Sequence, residues 1–281
     1  MMFNKVAIVG VGLIGGSLGL TIRRKKLARR VIGVARHSAT LKTAKKIGAI
    51  DSGTVSLSNP ELLTADLVIL AVPPEKVAEV ALKLAGRFRH PVIFIDVAST
   101  KQAIVSKLDK KLPKHVSFVG AHPMAGSERS GIDAARVDLY EGALCVLTPT
   151  RQTSRRALKT VQTLWTRLGS RVVLLSPDQH DARVAQISHL PHLAASALAL
   201  TPDSAALALA ACGFADTTRI AAGDPELWAG ICATNRPEIV CALRRYREQL
   251  QKIEKAVARN DRAGLLRLLK SARQRCLKLY R

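Results

Sequence analysis

Short, continuous apolar runs alternate with amphipathic stretches through residues 1–176. Continuous runs rich in β-branched residues mark strands covered on both faces, as in a parallel sheet. They occur in "KVAIVG", "RRVIGVAR", "DLVILAVPP", "PVIFIDVAS" and "HVSFVGAHP", and again in "ALCVLTP" and "RVVLLSP". Between them, "GSLGLTIRR", "ATLKTAKKIGA", "PEKVAEVALKLAGRF", "TKQAIVSKLDKKL" and "SRRALKTVQTLWTRLG" space their apolar residues as helices do. Strands alternating with helices predict an α/β fold with a doubly wound sheet. After Ser176 the texture changes, and "DQHDARVAQISHLPHLAASALALT" opens an almost wholly helical region rich in Ala and Leu. The pattern predicts two domains: residues 1–176 as the sheet domain, and residues 177–281 as an all-helical domain for substrate binding and dimerisation.

The first strand runs into "GVGLIGG", which places Gly10, Gly12 and Gly15 in the spacing GxGxxG between a strand and a helix. One glycine permits the tight turn, the next lets a pyrophosphate approach the backbone, and the third lets helix and strand pack closely. A helix N-terminus there offers free N–H groups to phosphates. The expectation is a Rossmann dinucleotide site formed by Gly10, Gly12, Leu13, Ile14 and Gly15, with Val72 and Pro73 beside it. The second strand ends in "VARHS", so Ala35 stands where an NAD site usually has an acid. With no carboxylate to repel it, a 2′-phosphate fits against Arg36, His37 and Ser38, which favours NADP, with NAD as the alternative.

Composition narrows the class. Hydrophobic residues make up 48% and charged residues 23%, an ordinary globular balance. The net charge of +23 draws anions, but its Lys and Arg are spread along the chain. "RRKKLARR" (Arg23 to Arg30) is not interleaved with aromatics, which argues against nucleic acid and for a small anionic substrate. Five scattered cysteines without a CxxC pair read as reduced thiols. The first strand leaves no room for a signal peptide, and no run is long and apolar enough to span a membrane. A cytoplasmic protein is expected.

In an open α/β sheet, ligands bind beyond the carboxyl ends of the strands. That rim carries Ser99, Lys101, His122, Ser127, Glu128 and Arg129. An alcohol dehydrogenation needs a proton acceptor, and His122 at a strand end is the best candidate base. In the helical region "SHLPH" brings His189 and His192 close together, without a third ligand at metal-site spacing. No metal is expected. Arg219, within a small and apolar stretch, is either paired structurally or aimed at a carboxylate. Asn235 in "NRPEI" reads as a helix cap.

Five segments in order, "GVGLIGG", "DVASTK", "GAHPMAGSERSG", "SHLPH" and "GFADTTRIAA", resemble the prephenate/arogenate dehydrogenase family of tyrosine biosynthesis. The resemblance implies a Rossmann domain followed by a helical dimerisation domain, and a homodimer. It implies that His122 accepts the proton of the ring hydroxyl, that Ser99 bonds that hydroxyl or His122, and that Arg219 binds a substrate carboxylate. By the same resemblance His189 and His192 line the substrate pocket, and Glu128 belongs to a polar network at its mouth. Two other readings stay open. One is a β-hydroxyacid type of NADP-dependent dehydrogenase, although no lysine falls between Lys159 and Lys252, where its catalytic lysine would be expected. The other is a basic NADP-sensing or nucleic-acid-binding protein without catalysis.

Overall fold

In the computed structural model, which describes residues 1–126 and 129–279, the apolar runs form one eight-stranded sheet. In chain order the elements are β1 (Phe3–Val9), α1 (Leu13–Arg24), β2 (Ala28–Val34), α2 (Ser38–Lys46), β3 (Ser52–Thr54), β4 (Leu67–Leu70) and α3 (Pro74–Ala85). Then come β5 (Val92–Asp96), α4 (Gln102–Lys111), β6 (Val116–Pro123), β7 (Leu144–Thr148), α5 (Arg155–Leu168) and β8 (Arg171–Leu174). The strand order is β3-β2-β1-β4-β5-β6-β7-β8, parallel throughout except where β6 meets β7. The first six strands follow the Rossmann order, with its switch point between β1 and β4.

Alternation along each strand divides the core. Val6 and Ile8 of β1 pack with Leu18 and Ile22 of α1 and with Leu164 and Trp165 of α5. Ala7 and Val9 turn to the other face, among Val77 and Ala81 of α3 and Ile104 and Leu108 of α4. Both faces of the central strands are therefore dry, which explains their lack of polar alternation, while the edge strand β8 leaves Val173 and Leu174 exposed.

The chain falls into two compact units, Met1–Arg236 and Pro237–Arg281. In the first, helices follow the sheet: α6 (Pro177–Val184), a π-helical turn over Ala185–His189, α7 (Leu190–Ala199), α8 (Ser204–Leu207), α9 (Cys212–Thr218) and α10 (Pro225–Thr234). A capping box fixes the start of α6: the Ser176 hydroxyl accepts from Gln179 N–H, and the Gln179 side chain accepts from Ser176 N–H. The π turn precedes Pro191, which has no N–H and whose ring crowds the carbonyl four residues back, so the helix widens there. The second unit is built from α11 (Arg236–Ala258) and α12 (Arg262–Leu277). Among the described residues no helix is long and apolar enough to cross a membrane.

Two glycines of the first loop differ in what they require. Gly10 sits at φ +98°, and a Cβ on it would run into the Ala71 carbonyl oxygen of the β4–α3 connection. Gly12 has ordinary φ, and a Cβ there would meet nothing within 4 Å. Gly10→Ala is therefore expected to cost about 1–3 kcal/mol of stability, whereas Gly12→Ala stays within about 0.5 kcal/mol. Urea titrations of the two variants check this, and equal losses would refute the distinction.

Candidate active site

The glycine loop and the β4–α3 connection lie side by side at the switch point. Gly10 N–H donates to Val34 O at 2.8 Å and Ala71 N–H to Val9 O at 2.8 Å. The open space at Gly12 leaves room for a phosphate against the backbone. Helix α1 begins there with no side-chain cap and no acid in its first turn, so its leading N–H groups remain available to an anion. Leu13 and Gly15 are buried in this turn, with Ile14 and Val72 half-buried and Pro73 exposed. Arg36, His37 and Ser38 are exposed where β2 passes into α2, whose first turn also lacks an acid. These residues fit a dinucleotide: glycine space, a free helix N-terminus and a rim without carboxylates.

Two strands away, β6 carries His122 at its carboxyl end, 8% exposed. Its Nδ1 lies 2.8 Å from Nε2 of His180 on α6, and the rings meet edge to face with centroids 5.0 Å apart. His180 Nδ1 in turn lies 2.7 Å from Oδ1 of Asp181. Asp181 also receives Lys101 N–H at Oδ1 (2.8 Å) and Gln102 N–H at Oδ2 (2.9 Å), and so caps the N-terminus of α4. Burial pushes His122 well below the ordinary histidine value, helped by His180, Lys101 and His189; burial also lowers His180. Both imidazoles are thus held neutral.

Lys101, on the rim by sequence, is fully buried and paired with Asp96 at the end of β5. Asp96 also accepts from Ala98 N–H (3.1 Å) and from Ala121 N–H (3.2 Å), the residue before His122. Burial raises the Asp96 pKa and the neighbouring ammonium opposes it. This ion pair therefore braces the strand end that presents His122.

His189 is buried in the π turn, where the Asn235 amide lies 3.2 Å from its Nδ1 and also donates to Asp181 O at 3.0 Å. Its Nε2 is buried without a partner among the described residues, and burial pushes its pKa down to about 4. Asn235 is not the cap its sequence context suggests. At φ −122° it ends α10, and its side chain turns inward to hold His189 and α6. His192 stacks on Trp228, with centroids 3.5 Å apart and planes 9° from parallel, beside a cavity of about 330 Å³ that Ser196, Gly223 and Cys232 also line. Ser99 is half-buried after β5, and its hydroxyl makes no hydrogen bond among the described residues; the partner of His122 is His180. Arg219 is exposed in a short 3-10 turn (Arg219–Ala222) and forms no ion pair among the described residues. Glu128 and Ser127 lie outside the described residues. Among the described residues no group of three potential ligands could hold a metal ion.

Residues 18–174 match the family described as "Prephenate dehydrogenase, nucleotide-binding domain", and residues 176–271 that described as "Prephenate dehydrogenase, dimerization domain". The chain is 35% identical over 279 residues to prephenate dehydrogenase of Bacillus subtilis (strain 168), a match covering 97% of this chain and 75% of that one. Its fold is similar to the crystal structure of prephenate dehydrogenase from A. aeolicus in complex with hydroxyphenyl propionate and NAD+. That match has a TM-score of 0.92 and 32% identity, over 98% of both chains. It is likewise similar to Synechocystis arogenate dehydrogenase, with a TM-score of 0.82 and 32% identity over 98% of this chain and 99% of that one. With a glycine-loop crevice, a buried histidine on the same rim and likeness over nearly its whole length, this chain belongs to the prephenate dehydrogenase family.

Proposed function

We propose that the protein oxidatively decarboxylates prephenate, arogenate or both, yielding 4-hydroxyphenylpyruvate or tyrosine in tyrosine biosynthesis. The observation that carries this reading is a buried imidazole, His122, kept neutral at the carboxyl end of β6, on the rim shared with the dinucleotide crevice. A nicotinamide bound in that crevice supplies the hydride acceptor for ring C4. His122 takes the proton of the C4 hydroxyl as hydride leaves. The electron pair of the departing ring carboxylate, lost as carbon dioxide, closes the aromatic ring, the phenolate oxygen regains the proton from His122, and aromatisation makes the step effectively irreversible.

The other residues bind and orient. Ser99, whose hydroxyl makes no hydrogen bond among the described residues, bonds the reacting hydroxyl. His189 presents its unpartnered Nε2 to the substrate, and His192 lines the pocket next to Trp228. Arg219, exposed and without an ion pair among the described residues, takes a substrate carboxylate. The cofactor is held by Gly10, Gly12, Leu13, Ile14, Gly15, Val72 and Pro73. NADP is preferred over NAD because Arg36, His37 and Ser38 form a rim without an acid. Residues 177–281 act as the substrate and dimerisation domain. Pairing into a homodimer is supported by exposed Leu250, Val257, Leu266 and Leu269 on α11 and α12. A cytoplasmic setting suits the five unpaired cysteines.

Reduced cofactor should form at 340 nm with prephenate or arogenate, and absence of signal with either substrate and either cofactor refutes the reading. His122→Asn should lower kcat by about 10²–10⁴-fold with KM little changed. Because burial keeps His122 neutral well below the usual histidine range, kcat/KM should hold its plateau down through pH 6.5 and fall only below it. An acid limb centred above 6.5 would contradict a His122 held neutral by burial. Arg36→Glu should weaken NADP by about 10- to 100-fold, the loss of one charge-assisted phosphate contact and its replacement by repulsion. A wild-type enzyme that prefers NAD contradicts the assigned role of Arg36.

A further inference from the structure

We infer that His180 and Asp181 act as positioning residues that fix the tautomer of His122, leaving its Nε2 bare to receive the substrate proton. The inference deepens the proposed function and rests on it for the direction of proton transfer, but the tautomer itself follows from the hydrogen bonds. Asp181 receives backbone N–H groups at both carboxylate oxygens, from Lys101 and Gln102. A carboxylate so engaged accepts and does not donate. His180 Nδ1, at 2.7 Å from Oδ1, must therefore carry the hydrogen. A neutral imidazole has one N–H, so Nε2 of His180 is an acceptor. It stands 2.8 Å from Nδ1 of His122, which must then be the donor. The hydrogen of neutral His122 is thereby committed to Nδ1, and Nε2 keeps its lone pair.

The consequence for the reaction is specific. A histidine without this partner would distribute its hydrogen between the two nitrogens and would often turn an N–H toward the substrate hydroxyl, where it cannot act as a base. When the hydroxyl O–H bond breaks and the Nε2–H bond forms, the Nδ1–H remains on His122 and its hydrogen bond to His180 becomes charge-assisted. The positive charge then lies one ring from the Asp181 carboxylate. Among the described residues the other ionisable neighbours are Lys101, itself paired with Asp96, His189, which burial keeps neutral, and Cys145, whose thiol burial keeps protonated. Orienting a catalytic imidazole through a second acceptor is worth as much as 10⁴ in rate in a Ser-His-Asp triad. Asp181 also caps α4, so substitutions there would mix two effects, whereas His180 separates them.

The test compares wild type, His180→Leu and His180→Gln, using ¹⁵N-histidine-labelled full-length protein at pH 7.5 and steady-state kinetics. His122 ring resonances are assigned by their loss in His122→Asn. In wild type, His122 should show a protonated Nδ1 and an unprotonated Nε2. His180→Leu should lose that signature and lower kcat by about 10²-fold or more with KM little changed. His180→Gln, whose amide oxygen can still accept from Nδ1–H, should keep the signature and recover at least about tenfold of the lost kcat. Equal losses of kcat in the two variants, or a wild-type His122 protonated at Nε2, would overturn the inference. If His180→Leu does not fold, the wild-type spectrum and the Gln variant still decide it. A wild type inactive on both substrates while showing the Nδ1–H signature counts against the proposed function alone, since the signature is read without substrate.

Discussion

The Asp181 carboxylate is the junction on which the site depends. Its oxygens close the open N-terminus of α4, where Lys101 and Gln102 have N–H groups with no partner inside the helix, and the same oxygens engage His180. One side chain from α6 thus ties the first helix after the sheet to the strand–helix connection that carries Ser99 and Lys101. The main-chain carbonyl of Asp181 is used as well, by Asn235 at the end of α10. Three stretches distant in sequence, at Lys101–Gln102, His180–Asp181 and Asn235, meet around a single residue. Nothing in that arrangement can shift alone without leaving a buried donor unpaired, a loss of about 1–3 kcal/mol each.

Around this junction the protein concentrates groups that resist burial. Lys101, Asp96, His180 and Asp181 are all essentially inaccessible, with His122 and His189 nearly so. Removing one partner of a buried ion pair typically costs 3–5 kcal/mol, so Lys101 and Asp96 stabilise each other conditionally rather than outright. What the pair secures is position, because Asp96 also holds the amide just before His122. The three histidines answer burial differently, by giving up their charge. Below pH 6.5 an unfolded chain takes up protons at these positions while the folded one refuses them. Folding stability therefore declines as the solution is acidified.

The doubly wound sheet and the glycine turn were legible because apolar runs and GxGxxG report on local geometry, whereas the strand order was not. The strand β3 was not, since "SGT" is three residues long and has no apolar run. At the site, His122 announced itself by standing at a strand end. His180 gave little signal: it follows a helix cap in "SPDQHD" and lies 58 residues from its partner, with two strands and a helix between. Adjacent His and Asp just ahead of an apolar helix face was the one available clue. Lys101 was placed on the ligand-binding rim because buried lysines are rare, and its burial depends on Asp96 being brought alongside by the sheet. Asn235 was misread for a related reason: asparagine before a helix is usually a cap, and only the fold reveals an inward side chain.

The stacked pair His192 and Trp228 gives the molecule a built-in optical gauge. Of the two tryptophans in the chain, Trp165 is sealed in the sheet core, fully buried and in edge contact with Tyr140, so its emission is blind to events at the site. Trp228 lies face to face with His192 and edge-on to His189. Imidazole in contact with indole quenches it, more strongly when protonated. The long-wavelength part of the intrinsic fluorescence therefore comes from an indole whose brightness tracks the filling and protonation of its own pocket, and it needs no attached dye.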